Sequence, residues 1–228
     1  MEAGPAGAGA VPTLLGVDEA GRGSLVGPLV VGGFVTTPET AARLPGLGVR
    51  DSKLLSPERR EAVYAALRPL GRCLSIALSP RIVDRSVRAG GLNALEARAF
   101  AGLVARSGAS RAFVDACDPV APRFGRTVAR LAGGRVPVHA QHRADREIPV
   151  VAAASIVAKV RRDRAIARLA RSLGDGLGSG YPSDARTRAF VRDRLEGSPT
   201  PPPWVRASWR TMETLKARPT ARTLESFP

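Results

Sequence analysis

Apolar positions come in short strand-like runs early in the chain and at helical spacing later. Residues 14–35, LLGVDEAGRGSLVGPLVVGGFV, hold two runs rich in Val and Leu around a polar knot, Asp18-Glu19-Ala20-Gly21-Arg22-Gly23. Runs of this length, with β-branched residues and glycine punctuation, predict two strands paired as a hairpin. A polar connection, Val49-Arg50-Asp51-Ser52-Lys53, leads to Ser56-Pro57-Glu58, a strong helix start. RCLSIAL at 72–78 alternates like a strand, Ser79-Pro80 opens a short helix, and GLNALEARAFAGLVARSG predicts another with Asn93 as its cap. RAFVDA at 111–116 reads as a buried strand ending in Asp115, PVAPRFGRTVARLAGG as a looser segment, and 135–140 as a further short strand. The longest helical pattern starts at Pro149, PVVAAASIVAKVRRDRAIARLARSL, with small Ala residues early that permit close packing. GDGLGSGYPSD breaks it, Ser183 caps a helix to about Leu195, and the proline run SPTPPPW closes the main unit.

Strands first, then strands alternating with helices, predict an α/β fold with a mixed central sheet flanked by helices. A chain of 228 residues suffices for one substantial domain. We divide it into a flexible N-terminal tail (1–12), a main domain (13–197), a C-terminal extension packing on it (198–217) and a C-terminal tail (218–228).

The formal charge of +15 changes the picture, because a surplus this large favours a polyanionic partner, most simply nucleic acid. Only Lys53, Lys159 and Lys216 are lysine, so arginine bias in the coding sequence is the competing explanation. No apolar run is long enough to span a bilayer, and MEAGPAGAGAVP lacks the features of a secretory signal. Cys73 and Cys117 have no metal-type spacing, which points to a cytoplasmic chain without a disulfide framework. Scarce side-chain amides (Asn93 and Gln141) and plentiful proline fit a protein that works hot.

Adjacent carboxylates at a strand end repel one another and lose solvent, which is costly unless a cation holds them. The alternative for Asp18-Glu19 is a plain polar turn. Asp115 also ends a strand, and neighbouring strands could bring the two ends together. Ser155, Lys159 and Asp163 recur every fourth residue and so line one helix face. Asp163 is either a fourth member of the acidic set or a solvated charge paired with nearby arginines. Such carboxylates suit magnesium or manganese. Two such ions about 4 Å apart can activate water and stabilise a leaving oxygen.

These segments resemble one family. GVDEAGRGSLVGPLV is similar to the opening motif of type 2 ribonucleases H, the ribonuclease HII enzymes, and VDACD around Asp115 to their second acidic motif. AQHRADREIPVVAAASIVAKVRRD resembles the third, GSGYPSDARTRAF the tyrosine-bearing motif, and VRASWRT the tail motif of the archaeal and eukaryotic branch. The resemblance implies a ribonuclease H-type fold with extra C-terminal helices. It further implies hydrolysis of the RNA strand of RNA–DNA hybrids and cutting at single ribonucleotides in duplex DNA, leaving 3′-hydroxyl and 5′-phosphate ends. Carried over by position, Asp18, Glu19, Asp115 and Asp163 would be the catalytic, metal-binding carboxylates, with magnesium or manganese as cofactor. Gly21, Arg22 and Gly23 would approach the minor groove, and Tyr181 would pack on the sugar beyond the junction. Ser52, Lys53 and Arg143 would hold backbone phosphates. Arg143 stands where relatives of this branch usually have Lys, and Ile148 where a tyrosine is common.

The arginines at 161, 162, 164, 168 and 171 are either a DNA-facing stripe or a solvated helix face. His139 and His142 are read as structural. Leu224 and Phe227, three apart near the end of the chain, resemble the sliding-clamp-binding peptide, although Ala221 and Pro228 stand at its usual glutamine and final aromatic. The expected state is a monomer. Two competing readings are a non-catalytic basic nucleic-acid-binding module and another nuclease of the same fold.

Overall fold

In the computed structural model, residues 11–49, 55–196, 198 and 200–216 are described. The two opening apolar runs form β1 (Leu14–Ala20) and β2 (Leu29–Thr36), antiparallel with Val17 opposite Gly33. Then come α1 (Pro38–Arg43), α2 (Pro57–Leu67), β3 (Arg72–Leu78), α3 (Pro80–Arg88) and α4 (Leu92–Ser107). The chain continues through β4 (Arg111–Asp115), α5 (Ala121–Leu131), β5 (Val138–Gln141), α6 (Ala144–Glu147), α7 (Pro149–Leu173), α8 (Ala185–Leu195) and α9 (Arg210–Lys216). The sheet order is β3-β2-β1-β4-β5, antiparallel on the β3 side and parallel from β1 to β5. This is the mixed sheet flanked by helices that the pattern predicts.

Alternation along the strands splits the core in two. Leu15, Val17, Leu29 and Val31 pack with Phe100, Leu103 and Val104 of α4 and with Phe124 and Val128 of α5. Phe34 lies on the other face with the buried stretch of α7 and with Val63, Tyr64 and Leu67 of α2. The alanines that begin α7 let its backbone descend onto β1 and β2. A Cβ at Gly32 would sit 2.5 Å from the Ala158 nitrogen and 2.6 Å from the Ala154 oxygen, and one at Gly16 2.0 Å from the Val150 oxygen. Only glycine fits beneath this helix, and the approach holds α7 against the strands that carry the acidic residues.

Several local expectations are corrected. The helix cap expected at Asn93 is Gly91 instead, because the Asn93 amide is taken by Arg22 and Asp118. Asp184, not Ser183, caps α8, its carboxylate accepting from the Arg186 nitrogen. The looser segment after Asp115 contains α5, whose apolar face packs under the sheet. Helix α1, begun by Pro38 and capped by Thr37, was not foreseen. Beyond the prolines the chain remains packed: Val205 bridges to Val26, and Arg206 and Met212 are buried.

Gly32→Ala should destabilise the fold by about 1–3 kcal/mol through overpacking against rigid helix backbone. That corresponds to a fall in melting temperature of roughly 2–12 °C. Gly46→Ala, where a Cβ meets nothing within 4 Å, is the control and should melt like the parent. Equal melting of the two variants would contradict the close helix–sheet approach.

Candidate metal and nucleic-acid site

Carboxylates collect at the C-terminal ends of the parallel strands. Asp18 falls on the α7 face of β1, and Asp115, the last residue of β4, falls on the same side as Phe113. Asp145 lies in the single turn of α6 that follows β5 and is 3% exposed. One carboxylate oxygen from each of Asp18, Asp115 and Asp145 lies within 4.8 Å of the others, the only such His, Cys, Asp or Glu group among the described residues. Asp115 also accepts a hydrogen bond from the Ala144 nitrogen (3.1 Å), which holds the start of α6 against the end of β4.

Glu19 follows Asp18 and so points to the opposite face, toward α4. Its carboxyl is pushed well above the ordinary range, first by burial and then by the negative charges of Asp18, Glu96 and Asp115. Asp18 is raised as well, chiefly by burial; the Lys159 ammonium and the Ser155 hydroxyl on α7 act against it. A buried acidic group disfavoured by its own charge, offering hard oxygens at short range, fits a divalent cation.

Asp163 does not join this group. Its Oδ2 accepts from Nε (3.0 Å) and Nη2 (2.6 Å) of Arg60 on α2, and its side chain is 31% exposed. Ser155 and Lys159 do face Asp18, but successive steps of four residues rotate the helix face by about 40° and climb about 6 Å each. Two steps carry Asp163 past the carboxylates and over to α2. Asp145 is the acidic residue that the helical-spacing argument missed. The available signal was its position just after a third parallel strand, the same sheet edge as Asp18 and Asp115.

The loop after β1 is tightly held. Gly21 adopts φ +83°, open to glycine, and its carbonyl accepts from the Ser24 hydroxyl (2.9 Å). Arg22 turns inward: Nε donates to both carboxylate oxygens of the fully buried Glu96 (2.9 and 3.0 Å), and Nη2 to Asn93 Oδ1 (2.6 Å). Gly23 is exposed, and a Cβ there would meet nothing within 4 Å. The Gly180 carbonyl accepts from Leu25 and Val26 (2.8 and 3.0 Å), joining this loop to the one that bears Tyr181. The half-buried Tyr181 ring lies against the Arg162 guanidinium, 4.2 Å from its centroid.

Arg143 is exposed and left-handed (φ 58°), the one non-glycine residue so placed among those described. The α7 arginines do not form one stripe: Arg162 is buried, Arg164 pairs with Glu61, and Arg161 and Arg164 lie over Tyr64. Burial beside Glu96 and Glu19 drives the Cys117 thiol far above its ordinary value, a packed rather than reactive group. His142 sits between the carbonyls of Ala116 and Pro119, consistent with a structural role. Ser52, Lys53, Leu224 and Phe227 lie outside the described residues. No helix among the described residues is long and apolar enough to cross a membrane.

The family model described as Ribonuclease HII matches residues 15–212. The ribonuclease HII of Cenarchaeum symbiosum is 45% identical over 203 residues, covering 89% of this chain and 97% of the relative. The ribonuclease HII of Archaeoglobus fulgidus, solved in complex with PCNA, superposes with a TM-score of 0.82 at 38% identity, covering 90% of this chain and 97% of that one. The ribonuclease H2 of Pyrococcus horikoshii OT3 does so at 0.81 and 36%, covering 89% and 96%. The matched span takes in the carboxylate edge, the glycine loop and the buried C-terminal segment together: this chain belongs to the ribonuclease HII family, endonucleases that cleave the RNA of RNA–DNA hybrids and cut at ribonucleotides within DNA.

Proposed function

We propose that Asp18, Glu19, Asp115 and Asp145 hold two divalent ions, magnesium or manganese, against the scissile phosphodiester, with Asp145 in the role first expected of Asp163. What carries this reading is the approach of Asp18, Asp115 and Asp145 to within 4.8 Å, with Glu19 raised first by burial and then by the charges of Asp18, Glu96 and Asp115. When bound, the ions would supply a nucleophilic water at neutral pH and stabilise the leaving oxygen, giving 3′-hydroxyl and 5′-phosphate ends. Lys159 and Ser155 temper the charge on Asp18 from the helix side. Arg60 holds Asp163 away from the acidic group, which leaves Asp163 a bracing role between α2 and α7.

The substrate side follows from the loops. Gly23 exposes backbone that can approach a minor groove, and the 2′-hydroxyl is what separates RNA from DNA there. Arg22 serves this contact indirectly, its guanidinium anchoring the loop on Glu96. The Tyr181 ring packs on a sugar, and Arg143, two residues before Asp145 in the chain, meets a phosphate, as do Ser52 and Lys53. The PCNA complex of the Archaeoglobus relative supports a sliding clamp as partner, engaged through Leu224 and Phe227. The free thiols of Cys73 and Cys117 are compatible with the reducing cytoplasm, the compartment we propose.

On a duplex carrying one ribonucleotide, Asp145→Asn should lower kcat by at least roughly 100-fold, and Asp163→Asn by less than about 5-fold, with a loss of stability from the broken Arg60 pair. The reverse ranking would return the metal-binding role to Asp163.

Metal and pH should act together. Because burial raises Asp18 and Glu19, the ion-free fold favours their protonated forms and loses stability as pH climbs from the ordinary glutamate value of 4.5 through the raised one. Binding to the ionised forms reverses this. A divalent ion at about a hundredfold excess over its Kd adds about 2.7 kcal/mol. At neutral pH the melting temperature should therefore rise by roughly 5–10 °C. Near pH 4 the rise should vanish. An equal rise at both pH values would contradict the assignment.

For the tail, a pull-down with the clamp should retain the full chain and lose one cut after Thr220. Equal retention of the two would remove the clamp contact from the tail.

A further inference from the structure

Two arginines behind the glycine loop are almost completely buried, Arg162 at 3% exposure and Arg206 at 0%, and neither has an ion-pair partner among the described residues. Each leaves one nitrogen without a hydrogen bond, Nε of Arg162 and Nη2 of Arg206. Burying a guanidinium without an acid is costly, so the contacts they do make carry the explanation.

Arg206 donates from Nη1 to the Arg22 carbonyl (2.8 Å) and from Nε to the Gly27 carbonyl (3.2 Å), with its guanidinium 5.0 Å from the Trp209 ring. It pins both ends of the loop from behind. Arg162 stands between the two loops that face the substrate. Its Nη2 donates to the Ser179 carbonyl (3.2 Å), and its guanidinium lies 4.2 Å from the Tyr181 ring centroid. A Cβ on Gly21 would come within 2.4 Å of its Nε and 2.6 Å of its Cδ, and one on Gly180 within 3.1 Å of its Nη2. The glycines at 21 and 180 thus leave room for this one side chain, which touches the bend after Glu19 on one side and the aromatic ring on the other. Arg162 also stands three residues beyond Lys159, so one rigid helix indexes both the carboxylates and the ring.

We propose that Arg162 is a positioning residue for ribonucleotide recognition. It fixes the plane of the Tyr181 ring relative to the Gly21–Gly23 backbone, so that the gap which receives the sugar at the RNA–DNA junction is set before substrate arrives. The planar guanidinium is suited to this because it stacks on a ring and donates to a carbonyl at once; an ammonium is a point charge and cannot do both in one plane. The inference rests on the reading that Tyr181 and the glycine loop contact the nucleic acid.

A double-mutant cycle tests it on a duplex with a single ribonucleotide. The proteins are the wild type, Arg162→Met, Arg162→Lys, Tyr181→Ala and the double variants, with kcat, KM and melting temperature measured for each. Arg162→Met should lower kcat/KM roughly 10- to 100-fold, mostly through kcat, since misplacement of a substrate by about 1 Å costs that much. Arg162→Lys should melt near the parent while recovering only part of the rate. In the Tyr181→Ala background either Arg162 change should cost no more than about twofold further, because the group it positions is gone. Should Arg162→Met fail to fold, the Lys variant carries the cycle. Wild-type rates in the Arg162 variants, or losses that multiply in the double variants, would overturn the proposal. A wild type that leaves the duplex uncut overturns the parent reading instead, and this one with it.

Discussion

Successive residues of a β-strand must point to opposite faces, and that single constraint organises the molecule. It sends Asp18 toward α7 and Glu19 toward α4, so two adjacent acids enter different surroundings while sharing one strand end. The same rule puts Asp115 on the Asp18 side, because β4 runs parallel beside β1. Close seating of α7 on Gly16 and Gly32 then fixes the distance from the strands to Ser155 and Lys159. Without that approach the carboxylates would sit at a loose edge, and their mutual repulsion would spread them.

The charges behind the site are arranged by the same economy of space. Glu96 is fully buried yet satisfied by Arg22, whereas Arg162 and Arg206 are buried against carbonyls and aromatic rings. Burial, and then the charge of Arg162, hold Arg206 down to about 10, while Arg162 is itself lowered chiefly by burial. These groups hold the two loops as one body. The substrate-facing surface is therefore a thin layer of glycine backbone and one ring laid over a rigid charged base.

Much of this was legible from the chain. The hairpin, Asp115 at a strand end, the Ser56 cap and the start of the long helix at Pro149 follow from periodicity and capping chemistry that tertiary packing did not override. Asp145 was not legible by the same route, since a single helical turn carries no period to read. Asp163 stands apart from the acidic group because a helix face drifts over eight residues, which carries it across to Arg60 on α2. Helix α5 was hidden by glycines and prolines that read as loop, although its apolar side packs under the sheet. The inward turn of Arg22 was invisible for another reason: its partner Glu96 lies 74 residues away, and only the fold brings them together.

The most direct measurement is the anomalous scattering of manganese in crystals of this protein soaked with the ion. Density for the metal should appear among the oxygens of Asp18, Asp115 and Asp145, with none at Asp163. A strong peak beside Asp163 and Arg60, with the strand-end group empty, would contradict the account.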